Sequence, residues 1–212
     1  MKTTNIVIAI LSLLLISACN TCPQSKNRTY RETRFKNNQS SSFIPLINGS
    51  ITFHADSGKT LVFDQVTTSH NFTDQNQCET EECCHHIVNV ETNRLLYIST
   101  KVNLQFQCSM YSGDVTDLIL FVMSKETPAD NSDFASSIFY VNHIDINNIF
   151  NHSDTNCAYI DTIILRNKVY TDIYNFKGSS TENKKFAESV YYNKTVGIVG
   201  FKLNDKSIWT KD

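Results

Sequence analysis

The chain has 212 residues, of which 41% are hydrophobic and 19% charged, with a net charge of −2 and seven cysteines. So even a charge balance supplies no concentrated basic surface, which excludes a nucleic-acid partner from the expected readings. The length suits one domain with a substantial core and leaves room for a short targeting segment.

The N-terminus is such a segment. Met1-Lys2 gives a positive start, Ile6 to Ile16 is apolar apart from Ser12, and the small residues Ser17 and Ala18 precede Cys19. This is the layout of a secretory signal. The apolar run is 11 residues, well short of the ~20 that cross a bilayer as a helix. No later stretch is long and apolar enough to do so. The residues "ISAC", 16 to 19, resemble a bacterial lipobox. That resemblance implies cleavage after residue 18 and lipidation of Cys19, with the acyl chains as the membrane contact. Enterobacterial lipoproteins kept at the inner membrane tend to carry Asp after the cysteine. Asn20 stands there, and no acidic run follows. The resemblance thus implies a lipoprotein of the outer membrane facing the periplasm.

Residues 19–42 read as a lipid-anchored tether. The segment is polar, shows no apolar period, and as a flexible coil would reach ~25 Å. Lys26, Arg28, Arg31, Arg34 and Lys36 against Glu32 give it a net charge of +4, which with Lys2 leaves −7 on residues 43–212. A basic segment beside a membrane suits anionic head groups, although a plain soluble linker is the better-favoured reading.

Residues 43–212 read as a single β-rich domain. "SITFHA" and "KTLVFDQV" are the first strand candidates. "VNLQFQCSMY", 102 to 111, alternates Val102, Leu104, Phe106, Cys108 and Met110 with polar residues, the pattern of a half-buried antiparallel strand. "DLILFVMS", 117 to 124, is continuously apolar and suits burial on both faces. "SSIFYVNHI", "AYIDTIILRN", "KVYTDIYNF", "KTVGIVGFKL" and "SIWTK" follow, rich in β-branched and aromatic residues. "DSGK", "YSGD", "NDKS" and the Asn-rich "NNIFNHSDTN" punctuate them as turns. Gly197 and Gly200 within a strand predict a bulge or a close backbone contact. Helix is sparse: "SSTENKKFAESVYY", opened by Ser179 and Glu182 as a capping box, reads as a short helix or a loop. The expected fold is all-β with minor helix, an antiparallel β-sandwich or a partly open β-barrel.

The C-terminal stretch "KVYTDIYNF … ESVYYNKTVGIVGFKLNDKSIWTKD" is similar to the tail of many small Bacteroidetes-type lipoproteins of unknown function. The similarity spans roughly the last 45 residues and implies no activity.

If Cys19 carries the lipid, Cys22, Cys78, Cys83, Cys84, Cys108 and Cys157 remain, an even set suited to disulfides in an exported protein. Adjacent Cys83 and Cys84 are poor partners for each other because neighbouring side chains diverge. Cys108 lies on the apolar face of its strand, so a bridge to it from the 78–84 loop is expected. The alternative for "CETEECCHHIV", 78 to 88, is a metal site using Cys78, Cys83, His85 and His86. The contiguity of these residues does not suit a tetrahedral zinc knuckle. "SGKT", 57 to 60, ends like a phosphate-binding loop but has Phe53 where the first Gly belongs. His54/Asp56 and His143/Asp145 read as scattered surface groups. No catalytic residues and no cofactor are expected. The functional expectation is a lipid-anchored cell-envelope protein with a non-catalytic binding or structural role. Its partners would be the membrane, through the Cys19 lipid, and an envelope protein or apolar ligand. The alternatives are a carrier of an apolar ligand in a barrel cleft and a metal-dependent enzyme built on the 78–86 cluster.

Overall fold

A computed structural model describes residues 30–36, 38–78, 85–125, 139–178 and 187–212. These residues are mostly strand: β1 (Tyr30–Thr33), β2 (Gly49–Ala55), β3 (Thr60–Cys78), β4 (His85–Ser99), β5 (Leu104–Tyr111), β6 (Leu118–Lys125), β7 (Phe139–Asp145), β8 (Cys157–Leu165), β9 (Lys168–Lys177), β10 (Ala187–Asn193), β11 (Gly197–Leu203) and β12 (Ile208–Lys211). Two helical turns join them, α1 (Asn38–Ser41) and α2 (Ile146–Phe150). The fold is all-β and antiparallel. No described helix is long and apolar enough to cross a membrane.

The chain divides into two compact units. The smaller comprises Met1–Glu32 and Asp74–Asn89, and its described residues are strand. The larger comprises Thr33–Thr73 and Val90–Asp212. Its strands lie in the order β7-β6-β5-β4-β3-β2-β12-β11-β10-β9-β8. Chain order explains this arrangement. β2 to β7 form one meander, β8 to β12 form another, and β12 docks on β2 to join them, pairing Trp209 with Ala55 and Thr210 with His54.

The joined sheet curls so that the two meanders face each other over a shared core. Phe121 on β6 lies 4.3 Å from Phe176 on β9 and 5.4 Å from Tyr192 on β10, measured between ring centroids. The Ile198 N–H on β11 donates to Tyr97 Oη on β4 at 3.2 Å. β7 and β8 end the strand order and are not paired with each other, so the larger unit is a partly open barrel. Its interior is solid: Phe53, Phe63, Phe106, Phe121, Phe176 and Phe201 are all essentially fully buried.

The alternation on β5 is as expected, with Leu104, Phe106, Cys108 and Met110 buried. On β6, Ile119, Phe121 and Met123 are buried, and Leu120 nearly so from the other face. The two glycines of β11 make close approaches. Gly197 sits at φ +76°, and a Cβ there would lie 2.5 Å from Tyr97 Oη. A Cβ on Gly200 would lie 2.6 Å from the Trp209 carbonyl oxygen.

A smaller cluster on the other face of the sheet gathers Leu165, Ile173, Tyr191 and Val199. The β8–β9 hairpin covers it by folding back. Pairing skips Asp161 and Asp172, and Asp172 takes φ 54°. The hairpin tip is then fastened over β12. Arg166 Nε lies 3.1 Å from Asp56 Oδ1, and Tyr170 Oη donates to the Lys211 carbonyl at 2.8 Å.

Three sequence expectations differ from the structure. Residues 187–193, the second half of the helix-or-loop candidate, are strand β10 between β9 and β11. Its Val190 and Tyr192 fill the core, and that burial outweighs local helix propensity. The Asn-rich "turn" contains α2, capped by Asp145, whose carboxylate accepts the Asn147 N–H, with Ile146 and Ile149 buried. The segment read as tether to residue 42 is part of the larger unit from Thr33 onward.

Candidate functional site

The inner face of β4 runs from apolar to polar. Tyr97 and Leu95 are core residues, and by strand alternation Asn93 and Glu91 continue the same face beyond the core. On β3 the inner face passes through a register shift opposite Gly49 and Ile51, then continues from Val66 to Thr68 and His70. These polar residues floor a pocket of about 450 Å³ at the end of the barrel interior. Its walls are Phe35, the end of α1 at Ser41 and Ser42, and the loop residues Ile44, Pro45 and Leu46.

Each wall is tied to the floor by a specific bond. Thr68 Oγ1 accepts the Ile47 N–H at 2.9 Å and lies 3.0 Å from the carbonyl oxygens of Pro45 and Ile47. Asn93 Nδ2 donates to the Ser41 carbonyl at 3.2 Å. Glu91 bridges two elements: Oε2 accepts the Phe35 N–H at 2.7 Å, and Oε1 lies 2.8 Å from His70 Nε2. Phe43 plugs the core beneath the loop. Its ring stacks on Tyr192 at 5.1 Å, and its carbonyl accepts the Tyr192 hydroxyl at 2.8 Å. The pocket is therefore preformed, with an apolar wall and a few oriented polar groups, as ligand sites usually are. Leu46 at its mouth is 90% exposed.

His70 and Glu91 form a histidine–carboxylate pair, but no hydrogen bond from a described hydroxyl or thiol to His70 completes a nucleophile–base arrangement. Thr68 is occupied by the loop carbonyls, and Ser41 Oγ donates to the Asn38 carbonyl at 3.0 Å.

The chain matches no protein-family model, no curated protein and no solved structure. The pocket's geometry is thus the ground for any functional reading.

The expected site residues are distributed differently. Cys108 and Cys157 are both free, buried thiols, so the bridge expected at Cys108 is replaced by packing. Its strand partners are Leu95 and Phe121. Burial pushes the Cys108 thiol well up, and burial with the nearby Asp154 pushes Cys157 up to about 12. Neither is a reactive thiol. Cys19, Cys22, Cys83 and Cys84 lie outside the described residues, and Cys78, His85 and His86 are described in backbone only. The expected lipidation, the remaining bridges and the metal alternative therefore rest on residues the structure does not describe. Among the described residues, no group of three or more His, Cys, Asp or Glu side chains could hold a metal.

Of the two His-x-Asp pairs, His54 and Asp56 take different partners, and the His143 side chain lies outside what the structure describes. His54 Nε2 lies 2.8 Å from Asp212 Oδ1, Asp56 pairs with Arg166, and Asp145 caps α2. The "SGKT" segment is the β2–β3 turn, where Ala55 N–H donates to the Lys59 carbonyl at 2.8 Å. Sequence reasoning missed His70 and Glu91. They are 21 positions apart, and the one local signal was polar residues continuing the inward alternation of β3 and β4.

Proposed function

We propose that this protein is a lipid-anchored cell-envelope binding protein whose ligand seat is the pocket at the end of the barrel. The lipobox-like leader supports the anchoring, and the pocket supports the binding. One observation carries the second part: a preformed cavity with Phe35, Ile44, Pro45 and Leu46 on one side and Thr68, His70, Glu91 and Asn93 on the other. This composition suits a small apolar group with a hydrogen-bonding head. The fully buried phenylalanines of the core support a ligand seat at the pocket and not among them. We read the role as non-catalytic, since His70 and Glu91 pair with each other and Thr68 Oγ1 with the loop.

The test is photolabelling of the full chain with a short-chain diazirine alcohol, with the labelled residues located by mass spectrometry. The reading predicts saturable labelling in 41–47 and 66–72, reduced about ten-fold by Leu46→Glu, a change at an exposed side chain that leaves the core intact. Labelling spread over the surface, unaffected by that change, would sink it.

A further inference from the structure

Phe35 lines the pocket and packs on the edge of the core, Arg34 lies over the Phe72 ring, and residues 33–36 are otherwise held by polar bonds to β4 and to the segment after β5. Ser112 Oγ donates to the Thr33 carbonyl at 2.8 Å and accepts the Glu91 N–H at 2.9 Å. Thr33 Oγ1 lies 2.8 Å from the same oxygen. The Glu91 carboxylate takes the Phe35 N–H, and the Asp117 carboxylate takes the Lys36 N–H at 3.1 Å. Lys36 Nζ donates to the Asp114 carbonyl. Of the four residues, Thr33 is buried, Phe35 is half-buried, and Arg34 and Lys36 are exposed. A segment with one half-buried apolar side chain, fastened otherwise by directional bonds, opens locally before the core does.

Glu91 joins this segment to the pocket. One carboxylate oxygen holds Phe35, a wall; the other meets His70, in the floor. We propose that residues 33–36 are a latch that builds one wall of the pocket when seated, so that ligand binding and latch seating are thermodynamically coupled. The inference rests on reading the pocket as a ligand site. A ligand touching Phe35 stabilises the seated latch, and by reciprocity anything that lifts the latch weakens the ligand by the same factor.

The experiment uses the full chain, the diazirine alcohol as probe and limited trypsin digestion, reading cleavage at Arg34 and Lys36. Saturating probe should slow that cleavage in the wild type. Ser112→Ala removes the bonds to Thr33 and the one to the Glu91 N–H, at a residue that does not itself line the pocket. It should speed cleavage and weaken probe labelling together, each by about ten-fold or more, since each lost hydrogen bond is worth roughly two- to ten-fold. Lys36→Ala, at an exposed position, removes one of the two cleavage sites and is read at Arg34 alone; it should move Arg34 cleavage and labelling in the same direction by less, and stands in if Ser112→Ala does not fold. Faster cleavage in either variant with labelling unchanged would overturn the coupling while leaving the pocket reading intact. No saturable labelling of the wild-type pocket would overturn the pocket reading itself and the coupling with it.

Discussion

Phe43 links the folded core to the pocket, and its truncation measures that link. Its side chain is fully buried, with ring centroids of Tyr192, Tyr174 and Phe150 at 5.1, 5.4 and 6.0 Å. Phe43→Ala removes a ring enclosed on three sides, in a site whose neighbours belong to three different elements and cannot all collapse inward. The cost should fall in the range of about 3–5 kcal/mol for buried Phe→Ala changes. For a unit of this size that lowers Tm by roughly 6–20 °C. Trp209 is the single tryptophan and lies buried, stacked 6.0 Å from Phe201, so its fluorescence reports urea unfolding of the larger unit directly. Tyr192→Phe in the same assay separates the hydrogen bond from the packing: leaving the Phe43 carbonyl without its donor should cost about 1–2 kcal/mol. Leu46→Ala, at an exposed position, should change stability by no more than about 0.5 kcal/mol. A Phe43→Ala cost below about 1 kcal/mol would refute the reasoning, because residue 43 and the wall beyond it would then not be fastened to the core.

The remaining predictions concern thiols, acid and backbone. With the Cys157 thiol raised to about 12, roughly one molecule in 10⁴ carries the thiolate at pH 8. Iodoacetamide should therefore leave Cys108 and Cys157 unmodified in the native protein and alkylate both in urea, and native alkylation at the rate of a free cysteine would contradict their burial. Asp64 is held below its ordinary range by the Thr100 N–H and then the Thr100 hydroxyl, and Glu188 by Lys206 and then Lys202. Both carboxylates are more acidic folded than unfolded. Their stabilisation is present above the unfolded pKa and is lost as pH falls below about 4, so Asp64→Asn should flatten the acid limb of a stability–pH curve. Gly197→Ala places a methyl against Tyr97 Oη at a positive φ and should cost about 2–4 kcal/mol, seen as a lowered urea midpoint.

Strand content was legible because side-chain alternation is a direct imprint of a one-sided core. β5 shows it best, and the β11–β12 hairpin followed from "NDKS" between two apolar runs. β10 was obscured because "AESVYYN" satisfies helical and extended patterns alike, and the choice is made by β9 and β11 on either side. β3 was read too short, since its polar end carries no apolar signal. The latch was invisible for a related reason: Thr33, Glu91, Ser112 and Asp117 hold it through bonds between distant polar residues, and composition sees only a soluble stretch. The pocket draws on three separate segments, 35–46, 68–70 and 91–93, and no local motif encodes their convergence. The cysteine count, by contrast, invited a pairing at Cys108 that the aromatic core leaves no need for.

The central claim is that the pocket at the barrel end holds a ligand. Native mass spectrometry of the full chain, extracted gently from the membranes of its host, tests it most directly. The account predicts a bound small molecule that is released on denaturation and is absent from an Asn93→Trp variant, whose indole fills the pocket. A spectrum of the wild-type chain with no releasable adduct, or one whose adduct persists unchanged in that variant, would contradict it.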